Sequence, residues 1–205
     1  EYVGEYKKEN PLLDTDNPVT IGALDLQDYY FEHKYPVALA MRNSKNVIVE
    51  IGKDFGKKFG RSYYLFDKYR LDDAEIGIVV LGSTAGTVRV VIDELRAKGI
   101  KAGMLKLRVF RPFPYSEIAS ALSRLKALAV LDRSESLSSF GGPLFVEVRS
   151  ALYEVAVKPK IINYIYGLGG RDIGLGEIRS IYIDLEKVIK TGRIERLINY
   201  LGVRE

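Results

Sequence analysis

The stretch IGIVVLGSTAGTVRVVIDELRAKGIKAGMLKLR, residues 76–108, decides the fold of this chain. Its first part, residues 76–82, is apolar on both faces, which is typical of a buried strand in a parallel sheet. A helix follows, with apolar residues spaced by three and four and with Gly99 as a left-handed C-cap. Residues 102–108 then predict a second strand. Strand, helix and strand in this order predict a right-handed crossover within a parallel sheet.

The same alternation extends to both sides of this stretch. Residues 62–69 predict an antiparallel edge strand, and residues 127–133 and 160–167 predict two further strands. Helices after Tyr115 and Pro143 separate these last strands along the chain. The pattern therefore predicts an α/β fold with a mostly parallel five-stranded sheet, one antiparallel edge strand and helices on both faces.

The two ends of the chain carry helical patterns. Residues 24–59 have apolar side chains at helical spacing, and we expect two helices that meet near Tyr35 and Pro36. The preceding residues 1–23 are rich in turn-forming residues and predict an extended connector. Two terminal helices are predicted after the last strand. The second of them would bury Ile194, Leu197, Ile198 and Leu201.

The composition excludes several classes of function. Of the 205 residues, 47% are hydrophobic and 28% are charged, which is typical of a globular protein. The net charge of +4 comes from residues scattered along the chain, so no basic cluster indicates nucleic-acid binding. The chain contains no cysteine, which excludes disulfides, thiolate nucleophiles and cysteine-ligated metal sites. It has no apolar run of eighteen residues, and we expect a cytoplasmic protein that does not enter a membrane.

The loop GSTAG, residues 82–86, has the composition of an anion site. Gly82 and Gly86 flank the hydroxyls of Ser83 and Thr84, at the start of a helix. The spacing fits neither a dinucleotide-binding fingerprint nor a P-loop, because the third glycine and the Gly-Lys-Ser/Thr ending are missing. The favoured explanation is therefore structural. The glycines would let the helix pack tightly on the sheet, and Ser83 or Thr84 would cap it.

Other polar loops offer weaker candidates for chemistry. Arg111 follows a strand within RVFRPFP, residues 108–114, where either a ligand or a subunit interface is plausible, and the interface is favoured. Asp132 and Glu135 form a possible pair of carboxylates, although closing a turn is the more ordinary role. His33 is the only histidine and fits a hydrogen-bonded surface group better than a catalyst. We therefore predict no catalytic residue and no metal ligand in this chain.

Four long strings resemble one family of enzymes. They are DNPVTIGALDLQDYYFEHKYPVALAM at 16–41, FGKKFGR at 55–61, VVLGSTAGTVRVVIDELRAKGIKAGMLKLRVFRPFP at 79–114 and LDRSESLSSFGGPLFVEVRSALY at 131–153. In their order and length they resemble the alpha subunits of pyruvate:ferredoxin oxidoreductases of the multi-subunit archaeal type. The resemblance extends from about residue 12 to the end of the chain.

The resemblance implies a function that the residues alone do not indicate. Residues 1–60 would be a linker and the helical end of a pyrimidine-binding domain, and residues 61–205 a domain like the transketolase C-terminal domain. The family oxidises pyruvate with coenzyme A to acetyl-CoA and carbon dioxide and passes electrons to ferredoxin. Thiamine diphosphate, Mg²⁺ and [4Fe-4S] clusters would serve the complex, with beta, gamma and delta subunits as partners, but none would be bound by this segment.

Some alternatives remain open at this stage. Other 2-oxoacid oxidoreductases share the layout, so 2-oxoisovalerate and 2-oxoglutarate compete with pyruvate as substrate. The composition also suits a thermophile. A different function is a stand-alone binding module that holds a phosphate-bearing ligand, such as coenzyme A, through Ser83, Thr84 and Arg111. A third is a structural scaffold for oligomerisation, which exposed apolar side chains on residues 24–59 would favour along with the subunit role.

Overall fold

A computed structural model provides the structure of this chain, which forms two compact units, Glu1–Ala40 and Met41–Glu205. The residues that it describes are 2–7, 14–19, 21–22 and 24–204. The remaining positions of the predicted connector lie outside the described residues. The described stretches of residues 1–23 contain bends and irregular backbone, in keeping with a connector.

The single histidine belongs to the first unit. His33 lies in the first turn of a helix, and its Nδ1 is 2.7 Å from Oδ1 of Asp25. The His33 side chain is 57% exposed. The structure thus places it as the hydrogen-bonded surface group that the sequence indicates.

Besides a short 3₁₀ helix at Leu168–Gly170, the described residues form six strands and five α-helices. In chain order they are α1 Tyr30–Phe59, β1 Phe66–Tyr69, β2 Ile76–Leu81, α2 Thr84–Ala97, β3 Ala102–Leu107, α3 Tyr115–Leu122, β4 Ala127–Asp132, α4 Pro143–Tyr153, β5 Lys160–Ile165, α5 Leu175–Thr191 and β6 Ile198–Tyr200. The strands form one sheet with the order β1-β3-β2-β4-β5-β6. All neighbouring pairs are parallel except β1 and β3. None of the helices in the described part of the chain has the length and apolar character needed to cross a membrane.

The apolar core lies on both faces of the sheet, as predicted. Side chains alternate along β2, so that Ile78 and Val80 join one cluster while Val79 joins the other. Helices α2 and α5 cover the first cluster, and α3 and α4 cover the second. This confirms the α/β class, the mostly parallel sheet, the antiparallel edge strand and the helices on both faces.

The number of strands was predicted wrongly, because the last predicted helix is a strand. Residues Ile198–Tyr200 form β6, which pairs in parallel with β5, so the sheet has six strands and not five. The backbone N–H of Asn163 donates to the carbonyl of Leu197 at 2.9 Å, and that of Leu201 donates to Ile165 at 2.9 Å. The open edge of β5 satisfies these backbone groups, and this tertiary pairing outweighs the helical spacing of the apolar residues.

Two boundaries near the start of the chain also differ from the prediction. The two helices expected to meet near Tyr35 and Pro36 are one helix, α1, with Pro36 inside it. Pro36 lies in the second turn of α1 and removes one N–H donor there, and the helix continues through it. The first strand is also shorter than predicted and begins at Phe66.

Helix α1 approaches the following segment closely at Gly52. A Cβ atom at this position would lie 1.9 Å from the carbonyl oxygen of Tyr63. Gly52 is the only residue of α1 that is buried among the described residues. By contrast, Gly86 in α2 has no neighbouring atom within 4 Å of such a Cβ. The two helical glycines therefore have different roles, and the chain offers a matched pair for a test.

We predict opposite effects for Gly52→Ala and Gly86→Ala. The first substitution should lower the free energy of unfolding by about 1–3 kcal/mol, because the methyl group meets backbone that must move. The second should raise it by about 0.5–1 kcal/mol, because alanine loses less conformational entropy in a helix. Urea denaturation measures both. A Gly52→Ala chain as stable as Gly86→Ala would contradict the close approach of α1 to Tyr63.

Candidate functional site

The order of the strands places a crevice between β2 and β4. From β2 the chain passes through α2 to β3 on one side, and it then returns through α3 to β4 on the other side. Helices α2 and α3 consequently cover opposite faces of the sheet. In open α/β sheets, ligands bind at the carboxyl ends of the strands where the winding reverses in this way.

A cavity of about 360 Å³ lies at this crevice. The loop after β2 contributes Gly82, Ser83 and Thr84 to its lining. The end of β4 and the loop after it contribute Asp132, Arg133 and Ser134, and Tyr166 follows β5. Its apolar walls are formed by Leu81, Phe110, Leu131, Pro143 and Leu144. We call it the switch-point cavity.

The turn into α2 brings two hydroxyl groups to the switch-point cavity. Gly82 has a φ angle of +70°, in the left-handed region that favours glycine, and it reverses the chain after β2. Ser83 follows as the N-cap, but its side chain makes no capping hydrogen bond. Thr84 is buried, and its Oγ1 accepts a hydrogen bond from the hydroxyl of Tyr166 at 2.9 Å.

A buried carboxylate organises the opposite side of the cavity. Oδ1 of Asp132 accepts the backbone N–H of Leu144 at 2.8 Å, and Oδ2 accepts that of Phe145 at 3.1 Å. The side-chain amide of Asn163 donates to the same Oδ2 at 2.9 Å. Asn163 also accepts the backbone N–H of Gly142 at 2.9 Å through its Oδ1. Asp132 thus caps α4 and joins it to β5.

Burial shifts the ionisation of two groups at the cavity. It raises the pKa of Asp132 above its usual value, because a charged carboxylate loses hydration, although its three hydrogen-bond donors act in the opposite direction. Burial also raises the pKa of Tyr166, against the hydrogen bond to Thr84 and the positive charge of Arg133. Tyr166 therefore remains a hydroxyl at neutral pH.

Arg133 supplies the positive charge at the cavity. Its Nε donates to the carbonyl of Gly167 at 3.2 Å. Gly167 has a φ of +66°, and a Cβ at this position would lie 3.0 Å from the same Nε. Among the described residues Arg133 has no carboxylate partner within ion-pair distance. An unpaired guanidinium beside hydroxyl donors is a suitable environment for an anion.

The structure brings together three of the five residues predicted for an anion site. Gly82, Ser83 and Thr84 line the switch-point cavity, whereas Gly86 and Arg111 do not. Arg111 instead pairs with Glu147 on α4, with Nη2 and Oε1 2.6 Å apart. Its guanidinium also stacks on Phe110 at 4.3 Å and donates to the carbonyl of that residue.

The packing explanation for the GSTAG loop was wrong. A Cβ at Gly82 or Gly86 would meet no atom within 4 Å, so neither glycine is required for close packing of α2 on the sheet. Neither Ser83 nor Thr84 makes a side-chain capping bond to α2. The left-handed backbone accounts for Gly82, and nothing in the structure explains Gly86.

The carboxylates Asp132 and Glu135 do not form a catalytic pair at the cavity. Asp132 is held in the α4 cap, as the turn-closing role suggests. Glu135 does not line the cavity, and its Oε1 accepts the backbone N–H of Ser136 at 3.1 Å. Glu135 also raises the pKa of Tyr200.

Sequence reasoning missed three residues of the site. Asn163 is fully buried within the otherwise apolar strand β5, and a polar residue in such a strand is the signal that was available. Tyr166 follows the carboxyl end of the same strand, where site residues gather in parallel sheets. For Arg133, only its position directly after β4 indicated a role.

The residues of this chain do not fit the metal centres of the enzyme family that its sequence resembles. A [4Fe-4S] cluster requires thiolate ligands, and the chain has no cysteine. Within the described residues, no group of three or more histidine, aspartate or glutamate side chains is placed to hold a metal ion. No chemical step through Mg²⁺ or a cluster is therefore assigned to this chain.

Known proteins are similar in sequence to this chain. Residues 74–178, just over half of the chain, match the family model of the pyruvate:ferredoxin oxidoreductase core domain II. Pyruvate synthase subunit PorA of Thermotoga maritima is 48% identical over 205 residues, which is 100% of this chain and 51% of that protein. Ketoisovalerate oxidoreductase subunit VorA of Pyrococcus abyssi is 39% identical over 207 residues, or 100% of this chain and 52% of that protein.

A solved structure is also similar. It is the 2-oxoglutarate:ferredoxin oxidoreductase of Magnetococcus marinus, with a TM-score of 0.46 and 23% identity over 66% of this chain and 21% of that one. The chain spans about half the length of the curated relatives that it matches.

We predict that Asp132→Ala lowers the free energy of unfolding by about 2–4 kcal/mol. The substitution removes the α4 cap and leaves three buried N–H donors without an acceptor. Denaturation in urea measures the change. Asp172→Ala is the matched control, because this carboxylate is exposed, and it should change stability by no more than about 0.5 kcal/mol. Equal effects of the two substitutions would contradict the organising role of Asp132.

Proposed function

Because the chain belongs to the family of the pyruvate:ferredoxin oxidoreductase core domain II, we propose that it is part of the alpha subunit of a 2-oxoacid:ferredoxin oxidoreductase. The enzyme would oxidatively decarboxylate a 2-oxoacid with coenzyme A and pass the electrons to ferredoxin. The observation that carries the proposal is the 48% identity to a pyruvate synthase subunit over the whole chain. Pyruvate is accordingly the proposed substrate, with acetyl-CoA and carbon dioxide as products.

Two other 2-oxoacids compete with pyruvate. A ketoisovalerate oxidoreductase subunit is 39% identical to the chain, which exceeds the 37% of the pyruvate synthase subunit of Pyrococcus furiosus. Pyruvate is therefore favoured by the 48% identity to the Thermotoga maritima subunit and by no residue that explains the choice. 2-Oxoglutarate is the third candidate. The substrate is therefore the part of this proposal that depends most on an assay.

We infer that this part of the subunit is structural and contacts other subunits. Exposed apolar side chains along α1 from Met41 to Phe59 support this role, because monomers seldom expose such a stripe. Met41, Val47, Ile51 and Phe59 are 46%, 53%, 56% and 48% exposed. Residues 61–205 would correspond to the transketolase C-terminal-like domain, and residues 1–60 to a linker and the helical end of the pyrimidine-binding domain.

The chemistry would then reside in other parts of the complex. We propose beta, gamma and delta subunits as partners in a cytoplasmic assembly that reduces ferredoxin. Thiamine diphosphate would supply the carbanion chemistry of decarboxylation, and [4Fe-4S] clusters would carry the electrons. Cysteine ligates such clusters and this sequence contains none, so the clusters would be held outside these 205 residues.

A substrate assay tests the proposed reaction. The complex that contains this chain is supplied with coenzyme A, ferredoxin and one 2-oxoacid at a time, and acyl-CoA formation and ferredoxin reduction are measured. We expect kcat/KM for pyruvate to exceed that for 2-oxoisovalerate and 2-oxoglutarate by about tenfold or more. A preference for another 2-oxoacid would correct the substrate, and no turnover of any of them would contradict the function.

Charged substitutions on α1 test the interface role. Val47→Glu and Ile51→Glu together should weaken assembly with the companion subunits by about tenfold or more, because an interface buries charge at a high cost. Lys53→Glu, on another face of the helix, should leave assembly unchanged. Analytical ultracentrifugation measures assembly. Full assembly of the Val47→Glu and Ile51→Glu chain would show that this stripe is not an interface.

A further inference from the structure

The switch-point cavity is lined by side-chain donors that no protein group uses. The hydroxyls of Ser83 and Ser134, two exposed residues, line it and have no hydrogen-bond partner among the described residues. The carboxylate of Asp132 also lines it, but both of its oxygens already accept protein N–H groups. The hydroxyls can donate as well as accept hydrogen bonds, whereas the guanidinium of Arg133 can only donate, so acceptor oxygens fit this cavity best.

The buried pair of Thr84 and Tyr166 leaves one proton without an acceptor. Thr84 is 8% exposed and Tyr166 is 5% exposed, and their hydroxyls are hydrogen-bonded to each other at 2.9 Å. Two hydroxyls carry two protons, and a single bond between them uses only one. Because both residues line the cavity, the second O–H has an acceptor only if a ligand or a water molecule occupies the space. A buried donor without an acceptor is costly, and this favours an occupant.

Arg133 makes the donor set positive. Its Nε donates a hydrogen bond to the carbonyl of Gly167, whereas its two terminal nitrogens have no hydrogen-bond partner among the described residues. Glu135, a nearby acidic residue of the same loop, does not line the cavity. A guanidinium with free terminal nitrogens binds carboxylate and phosphate oxygens in a paired geometry.

The remaining walls limit the kind of anion that fits. Leu81, Phe110, Leu131 and Leu144 form apolar surface next to the donors. A volume of about 360 Å³ is larger than an inorganic ion needs and lies within the range of small-molecule sites. The ligand should therefore combine an anionic head with a short apolar body.

We propose that the switch-point cavity binds a small organic anion, whose carboxylate or phosphate head is held by Arg133, Ser83 and the Thr84–Tyr166 hydroxyl pair. The apolar body of the ligand lies against Phe110 and the leucines. This site does not depend on the proposed oxidoreductase function, because only residues of this chain form it. It also differs from the site that the sequence suggested, since Arg133 and not Arg111 provides the charge.

Titration of the full 205-residue chain with three probes tests the proposal. Phenyl phosphate and benzoate carry the two head groups on the same apolar body, and inorganic phosphate carries no body. Nuclear magnetic resonance follows the backbone amides. We expect either organic anion to bind with a Kd of about 1 mM or tighter and to shift the amides of Gly82, Ser83 and Ser134. The organic anion that binds more tightly shows whether the cavity prefers a phosphate or a carboxylate head.

Matched variants locate the binding. Arg133→Gln should raise the Kd of the tighter-binding probe by about tenfold or more, and Tyr166→Phe should raise it by about threefold to tenfold. Arg124→Gln is the control, because this exposed arginine precedes β4 and lines a different cavity, and it should leave the Kd unchanged. All three variants must retain the dispersed spectrum of the folded chain.

Three outcomes would overturn the proposal. The first is no binding of either organic probe. The second is binding that Arg133→Gln and Arg124→Gln weaken equally, which would indicate general attraction to positive charge. The third is inorganic phosphate binding as tightly as phenyl phosphate, which would exclude a role for the apolar walls. None of these outcomes bears on oxidoreductase activity, so the two proposals fail independently.

Discussion

The capping of α4 by the buried carboxylate of Asp132 is the interaction on which the carboxyl edge of the sheet depends. Burying a carboxylate is costly unless donors compensate it, and here two backbone N–H groups and the Asn163 amide do so. These bonds connect β4, β5 and the first turn of α4. Gly142 must be small, because a Cβ there would lie 2.2 Å from Cγ of Asp132. The helix and the two strands are thus positioned together.

The same network determines the character of the switch-point cavity. In this network, the oxygens of Asp132 and the carbonyl oxygen of the Asn163 side chain accept hydrogen bonds from protein N–H groups. The groups left facing the cavity are hydroxyls and the guanidinium of Arg133. A structural interaction therefore leaves a donor-rich space at the position where open α/β sheets bind ligands. The network leaves no acid and base pair among the residues that line the cavity.

The sequence was informative wherever local pattern and tertiary packing agree. The apolar run of β2, the stripe of α2 and Gly99, with its φ of +79°, were all predictable from residues 76–108. The pattern was misleading at β6, because apolar residues at helical spacing instead pair with the open edge of β5. It was also misleading at Pro36, which α1 accommodates without a break.

The site was only half predictable, because a sequence displays neither strand order nor ion pairing. Gly82, Ser83 and Thr84 directly follow a buried strand, so their position at the carboxyl edge follows from the sequence. Arg133 follows β4, the neighbour of β2, and so reaches the cavity. The loop after β3 also reaches the cavity, but Arg111 in this loop pairs with Glu147 on α4 and does not line it.

Native mass spectrometry tests the central claim, that this chain acts within a multi-subunit 2-oxoacid:ferredoxin oxidoreductase. The protein would be purified gently from its source, and its chains identified after dissociation in the gas phase. We predict a hetero-oligomer in which this sequence accompanies other subunits that carry thiamine diphosphate and iron–sulfur mass. A species that contains this sequence alone, with no companion chain or cofactor, would contradict it.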